Sequence, residues 1–539
     1  MLCYFANVPG PSSPHNMTAE ETIADSRCGS PGNETFLRRR YGSLFAPRAC
    51  KMPRTFFRKS TEDLTNEKLN RRKLLKNAAV AGAGAVVGAG ALNALAPAVM
   101  PEKMVFETNR SHWAKALPPA NPALATDLVA DVVVIGGGFT GLSTAYYIRK
   151  NSPSKKVVLL EAKSCGNGAS GRNGAMVLNL TADRYMRVSS APALDKRIYD
   201  LTVENIRALR AISASVGIDC ELETNGALQV RNTGESVEKD REYVAKANRF
   251  GIPMESWGKQ KTALALGTNA YEGALFDPNS GQVHPGKLVH VLKAAAESVG
   301  VEIYESTPVL HIEEGAVHRI ETANGRSVKT NALVLATNAY TSELGYLRRA
   351  VVPIFNYVGM TAPLSAATIS EIGWKSRMPF NDSRVETYYL GLTKDNRVHI
   401  GGGPVDYTFN NGVAEMAAAR QGHERILNEL GRIFPKLSGV PFETAWSGVV
   451  DMSMGESPAV GRMGKHQNIY YGIGFSGHGV NLTSLFGRII ADLEAGRGEQ
   501  WSWLPYVNRL PPYIPNEPFR WLGIQTSLRY YRATDPKTP

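Results

Sequence analysis

The chain has 539 residues, with 61 Lys and Arg against 49 Asp and Glu and a formal net charge of +12. Of these, 14 basic and 7 acidic side chains lie before residue 99, so the remaining 47 against 42 give only a mild excess and no case for a nucleic-acid partner. The sequence offers no Cys-x-x-Cys or His cluster for a metal, and beyond residue 98 no apolar run long enough to cross a membrane.

Residues 1–51 mix Pro, Gly, Ser and charge without a period and read as a disordered extension, with Met52 as the expected start of translation. Asn70-Arg71-Arg72-Lys73-Leu74-Leu75-Lys76 then leads into an Ala- and Gly-rich run that ends on Ala96-Pro97-Ala98. A basic head, a mildly apolar stretch and an A-x-A end make residues 52–98 a secretory signal. The arginine pair resembles the twin-arginine signal S-R-R-x-F-L-K, departing from it at Asn70 and Leu74. That resemblance implies export to the periplasm, folded and cofactor-loaded, with the twin-arginine translocon as partner. Residues 99–130, with Pro118–Pro122, read as an extended linker. Of the five cysteines only Cys165 and Cys220 follow the signal, and two free thiols are expected ahead of one disulfide.

Asp131–Gly141 (DVVVIGGGFTG) organises the rest. An unbroken β-branched run suits a strand buried on both faces, and it ends on Gly136, Gly138 and Gly141 in G-x-G-x-x-G spacing. Leu142–Lys150 reads as a helix, whose N-terminus would receive a pyrophosphate. A second buried strand, within KKVVLLEAK, ends at Glu161, twenty residues after Gly141, where the ribose-binding acid belongs. These features in register specify a dinucleotide site without separating NAD from FAD.

Gly166–Gly174 (GNGASGRNG) has too many glycines for a core and suits a loop closing over phosphate or a ring system. GASGRNG in this place resembles the D-amino-acid oxidase-like flavoproteins, which include glycine, sarcosine and polyamine-related oxidases. The resemblance spans about residues 128–525 and selects FAD. It implies an α/β fold plus antiparallel β: a Rossmann-like FAD-binding domain in three parts (131–200, 284–345 and 441–500), interleaved with a mixed or antiparallel substrate domain in two (201–283 and 346–440), then a C-terminal wrap (501–539). It assigns cofactor contacts to Ala169, Ser170, Arg172, Asn173 and Gly174, to the Val309 amide at the adenine end, and to Gly448. Asn338, in ATNAY, reads as a turn former or, on the resemblance, as a residue near the phosphates. Some members attach flavin through cysteine; no Cys follows Cys220, so noncovalent FAD is expected.

Leu201–Val216 has helical spacing, ELETNGALQV reads as strand, turn and strand, and Val283–Val299 as a Pro-started helix. GVEIYESTPVLHIEE reads as a strand pair, and residues 346–440 as a half-exposed antiparallel sheet. There Tyr357, Tyr388 and Tyr389 either face the flavin or pair across strands. YYGIGFSGHGVNLTSLFGRIIADL reads as strand, glycine loop and helix. Gly474, Gly477 and Gly479 allow close approach to the flavin, and a helix beginning near Val480 would favour negative charge there. His478 either serves that charge, acts as a base or only packs. The catalytic candidates are therefore His478, Tyr389 and Tyr357.

These features point to oxidation of a C–N bond by hydride transfer to flavin N5, with imine hydrolysis after it and oxygen or a respiratory acceptor taking the electrons. The alternatives are a flavin-carrying protein without turnover, a D-amino-acid- or glycine-type dehydrogenase, and an NAD enzyme. In the Trp446-Ser447-Gly448 motif the family's carboxylate-anchoring arginine is matched by Val450, with Asp451 next to it. Arg397 and Arg462 are the other candidate anchors. The resemblance is nearest the γ-glutamylputrescine oxidase-like branch and implies an amine substrate.

Overall fold

The computed structural model describes residues 110–180, 189–413 and 420–538. The expected signal and residues 1–51 lie outside them.

Two eight-stranded sheets carry the architecture. The first contains β1 (Leu128–Ile135), β2 (Val157–Leu160), β8 (Glu302–Tyr304), β9 (Val309–Glu313), β10 (His318–Thr322), β11 (Ser327–Leu335), β17 (Ala459–Met463) and β18 (Ile469–Ile473). Its order is β17-β18-β11-β1-β2-β8. The pairs β18–β11, β11–β1, β1–β2 and β2–β8 are parallel, and β9–β10 form an antiparallel flap on β11. The unbroken apolar run of β1 has a simple cause: alternate residues enter two different cores. Val132 and Val134 join one with α1 (Phe139–Asn151), while Val133 and Ile135 join another on the far side. Each residue of the run 132–135 is thereby withdrawn from water, as a parallel sheet covered on both faces requires.

The second sheet contains β4 (Ala227–Arg231), β5 (Glu255–Gly258), β6 (Gly273–Asp277), β12 (Val351–Thr361), β13 (Phe380–Asp382), β14 (Tyr388–Leu392), β15 (Val398–Gly402) and β16 (Phe442–Ser453). Its order is β16-β12-β15-β14-β13-β4-β6-β5. A two-stranded ribbon, β3 (Met176–Val177) with β7 (Gly281–Gln282), lies between the two in chain order. Further helices are α2 (Pro192–Val216), α3 (Gly234–Arg249), α4 (Lys259–Leu266), α5 (Pro285–Ser298), α6 (Ala366–Ile372), α7 (Arg420–Ile433), α8 (Gly479–Glu494) and α9 (Phe519–Thr534). α5 and α8 pack with α1 on one face of the first sheet, and α7 packs on β12 and β15 of the second.

Several expectations change. α2 starts nine residues before Leu201, with Pro192 in its first turn, and ends on Gly217 in the left-handed region. Of ELETNGALQV only its last four residues lie in a strand, Ala227–Arg231, which runs one residue past it. β8 and β9 do not pair; β8 extends the parallel sheet and β9 the flap. β12 is almost wholly buried rather than half-exposed, since both its faces are covered. β16 pairs with β12 from Val351↔Ser453 to Thr361↔Phe442, so residues 442–453 belong to the substrate sheet and not to the third FAD segment. The C-terminal stretch ends in helix α9, after Ile514 has packed on Val352 and Ile354. The described part of the linker is docked: Trp113 is 2% exposed and Leu124 3%.

Candidate functional site

The first wall is built by the β1–α1 turn. Gly136 has φ +108°, in the left-handed region, and an added Cβ would meet Ala336 O at 2.5 Å. A Cβ on Gly141 would stand 1.9 Å from Gly136 O, so only glycine lets helix and strand approach. Gly138 caps α1 without a side-chain bond, and the Phe139 N–H reaches Ser170 Oγ at 2.9 Å. Glu161 ends β2 with Oε2 accepting from the Gly137 N–H (2.7 Å) and Oε1 from the Lys163 N–H (2.9 Å). Burial raises its carboxyl above the usual range, while these bonds favour the ionised form. The Thr307 N–H bonds to Glu161 O, which brings Val309, two residues on, to the same end of the site. Asn338 has φ +49°, and its Oδ1 accepts from the Ala339 N–H at 2.7 Å, so it acts as a turn former beside Ala336 and Gly136.

The second wall is the loop 166–174, with Ala169–Gly171 in a 3₁₀ turn. Arg172 lies between the sheets: Nε donates to Asn167 O (2.7 Å), Nη1 to Ser447 O (3.0 Å), and its Cβ lies 3.4 Å from where a Gly448 Cβ would stand. Two indoles fix this loop from behind, Trp446 on Arg172 O and Trp113 on Asn173 O. Neither role was visible in local sequence.

The third wall is the second sheet. Register places Tyr389, Gly401, Val358 and Trp446 in one row across β14, β15, β12 and β16. The Tyr389 ring lies against Gly174 and Gly401; a Cβ on either would meet it at 2.3 Å. Its hydroxyl has no hydrogen-bond partner among the described residues. Next to this row runs a half-buried strip of Asn356, Gly448, Val450 and Met452. Tyr357 and Tyr388 face the other way and correct the expectation. Tyr357 packs edge-on to His423 at 5.5 Å and donates to Asp406 Oδ2 at 2.5 Å; Tyr388 sits under Arg384. The alternation of side chains along a strand decides this, and α7 covers their face. Arg397 is engaged by Asp395, Glu443 and Thr361 O, and Arg462 is exposed on β17, so neither serves the strip.

The fourth wall is the loop after β18. Gly474 and Gly477 have positive φ, and His478 is the half-buried N-cap of α8 without a side-chain cap bond. Asp451 does not face a substrate. It is fully buried and accepts from the Gly474 N–H at 2.6 Å and the Phe475 N–H at 3.1 Å. Burial pushes its carboxyl up to about 7. Cys165 and Cys220 are free and buried. Among the described residues no three His, Cys, Asp or Glu are grouped to hold a metal.

These walls suit a dinucleotide carrying a ring system. Two helix N-termini without local side-chain caps, α1 and α8, would hold its anionic and electron-rich ends, and Glu161, at the end of β2 beside Gly137, would meet its ribose. A Cβ on Gly168 or Gly477 would meet nothing within 4 Å, which leaves room between the loops. The fold and site define an FAD-dependent oxidoreductase. Residues 131–493 match the FAD dependent oxidoreductase family, DAO, and the chain belongs to it. It is 30% identical to a probable oxidoreductase OrdL of Haemophilus influenzae, over 75% of this chain and 92% of that protein. It is 29% identical to the gamma-glutamylputrescine oxidoreductase of Escherichia coli, over 74% and 89%. The crystal structure of glycine oxidase from Geobacillus kaustophilus superposes with a TM-score of 0.59 at 22% identity, over 69% of this chain and 95% of that one.

Proposed function

We propose that the protein oxidises the C–N bond of an amine whose recognition does not depend on an α-carboxylate. The observation that carries this reading is the strip that starts at Gly448 beside Arg172, where Asn356 and Val450 follow and Val450 stands in place of the anchoring arginine. Bound FAD, held noncovalently, supplies the hydride acceptor. Tyr389 offers its hydroxyl to the substrate, the aromatic row receives an apolar stem, and His478, at the mouth of the α8 loop, is the candidate for moving a proton. The gamma-glutamylputrescine oxidoreductase similarity supports the same substrate class. One observation favours an amino acid instead: the half-buried Arg172 guanidinium lies beside the strip.

Anaerobic mixing with putrescine, γ-glutamylputrescine, sarcosine, glycine and D-alanine, followed at the flavin absorbance, separates the two. Saturable bleaching by the amines is expected; bleaching by the small amino acids alone would overturn the amine reading. Export by the twin-arginine route, supported by Arg71 and Arg72, completes the proposal. Replacing both by Lys should leave precursor in the cytoplasm, and normal periplasmic delivery would refute it.

A further inference from the structure

The loop that faces the cofactor is held by its carbonyls. Four consecutive ones accept hydrogen bonds from side chains of three elements: the 3₁₀ turn His112–Ala116 with its N-cap Ser111, β15 and β16. Gly171 O accepts from Ser111 Oγ at 2.5 Å and Arg172 O from Trp446 Nε1 at 2.9 Å. Asn173 O accepts from Trp113 Nε1 at 2.9 Å and Gly174 O pairs with His399 Nε2 at 3.2 Å. His399 is buried and neutral, its basicity lowered by burial to about 4, and its Nδ1 has no partner; the proton therefore sits on Nε2, which donates. The donors brace one another, with Trp113 edge-on to Trp446 at 6.2 Å and to His399 at 5.5 Å.

In a trans peptide the C=O and N–H point in opposite directions. With the carbonyls of 172 and 173 pinned to the indoles, the N–H groups of Asn173 and Gly174 point away from them. The flanking donors are occupied: the Arg172 N–H bonds to Ala169 O at 3.1 Å and the Ala175 N–H to Asn173 Oδ1 at 2.9 Å. Those of Asn173 and Gly174 have no partner among the described residues, and both residues are half-buried. Buried or half-buried backbone donors normally find one.

We propose that Ser111, Trp113, His399 and Trp446 form a rear clamp that presents the Asn173 and Gly174 N–H groups as a paired donor to the ring system of bound FAD, with Trp113 the positioning residue. Ser111 and Trp113 lie upstream of residues 131–493, which match the family. The inference rests on the FAD assignment. Fixed donors aimed at a ring that becomes electron-rich favour its reduced form over its oxidised form.

The test is the two-electron potential of bound FAD in Trp113→Phe, which keeps an aromatic ring and loses the N–H. The expected result is a yellow protein whose relative affinity for reduced over oxidised FAD falls on the order of tenfold, ~30 mV for a two-electron couple. Trp446→Phe, which frees the adjacent carbonyl, should move the potential in the same direction. It also serves if Trp113→Phe does not fold. A merely structural role would speed FAD loss from both redox states equally and leave the potential alone; that outcome in either variant overturns the clamp. A wild-type protein purified without flavin would instead refute the FAD assignment itself.

Discussion

The two loops that enclose the cofactor site are held from behind by opposite chemistry. Loop 171–174 is pinned through its carbonyls by neutral donors, whereas the loop after β18 is pinned through the N–H groups of Gly474 and Phe475 by one carboxylate, Asp451. The first arrangement leaves N–H groups free on the cofactor side. The second consumes them, so on that side the donors come from the N-terminus of α8, which has no side-chain cap bond. Donors reach the site from both loops, by different routes.

The comparison breaks most severely at Asp451. Asp451→Ala leaves two buried N–H groups unpaired and should destabilise the protein by about 2–4 kcal/mol, with loss of FAD, measured by denaturant unfolding and retained flavin absorbance. Asp451→Asn sharpens the point through pH. The folded carboxyl titrates near 7, against ~3.9 in an unfolded chain, so between these values the folded state holds a proton that the unfolded chain has released. The stability contributed by this group therefore falls as pH rises through that window and is flat above it. The unfolding free energy of the wild type relative to Asp451→Asn should fall by a few kcal/mol from pH 4 to 7, at ~1.36 kcal/mol per unit. Parallel profiles would show that the two N–H bonds keep the carboxylate charged.

Glu161→Ala, at the other end of the cofactor, should weaken FAD binding by roughly 1.5–3 kcal/mol through loss of charge-assisted bonds, without altering that pH dependence. Unchanged affinity in titration of the apoprotein would remove Glu161 from the site. Tyr389→Phe should lower kcat/KM for the amine by about 0.5–1.5 kcal/mol in free-energy terms and leave FAD affinity alone. The smallest kinetic effect belongs to Tyr357→Phe. It loses only the bond to Asp406, so stability drops by about 1 kcal/mol while steady-state kinetics stay as in the wild type.

What could be foreseen followed the range of the interactions. β1, α1, β2 and the place of Glu161 at the end of β2, beside Gly137, were legible because strand, glycines, helix and acid lie within one local unit of fixed spacing. Asp451 and the indoles were not, because their roles depend on β16 pairing with β12 and on which loop then falls behind each side chain. Tyr357 and Tyr389 were equally plausible as sequence. Only the arrival of α7 on one face of the sheet separates them. The residues before β1 looked like a linker because PPANP carries no apolar period, and the packing of Trp113 comes from distant partners. Helix α9 was missed because the Pro-rich run before it dominates local composition.

The rear clamp also sets an order of events during synthesis. Ser111 and Gly171 are 60 residues apart, but the Trp446 indole reaches Arg172 across 274 residues of chain. The first donor made must wait for the last, and contacts of such sequence separation form late and slowly. A ribosome-bound chain halted before β16 would hold the dinucleotide turn and lack the groups that fix the neighbouring loop. Completion of the flavin pocket is thus coupled to completion of the polypeptide.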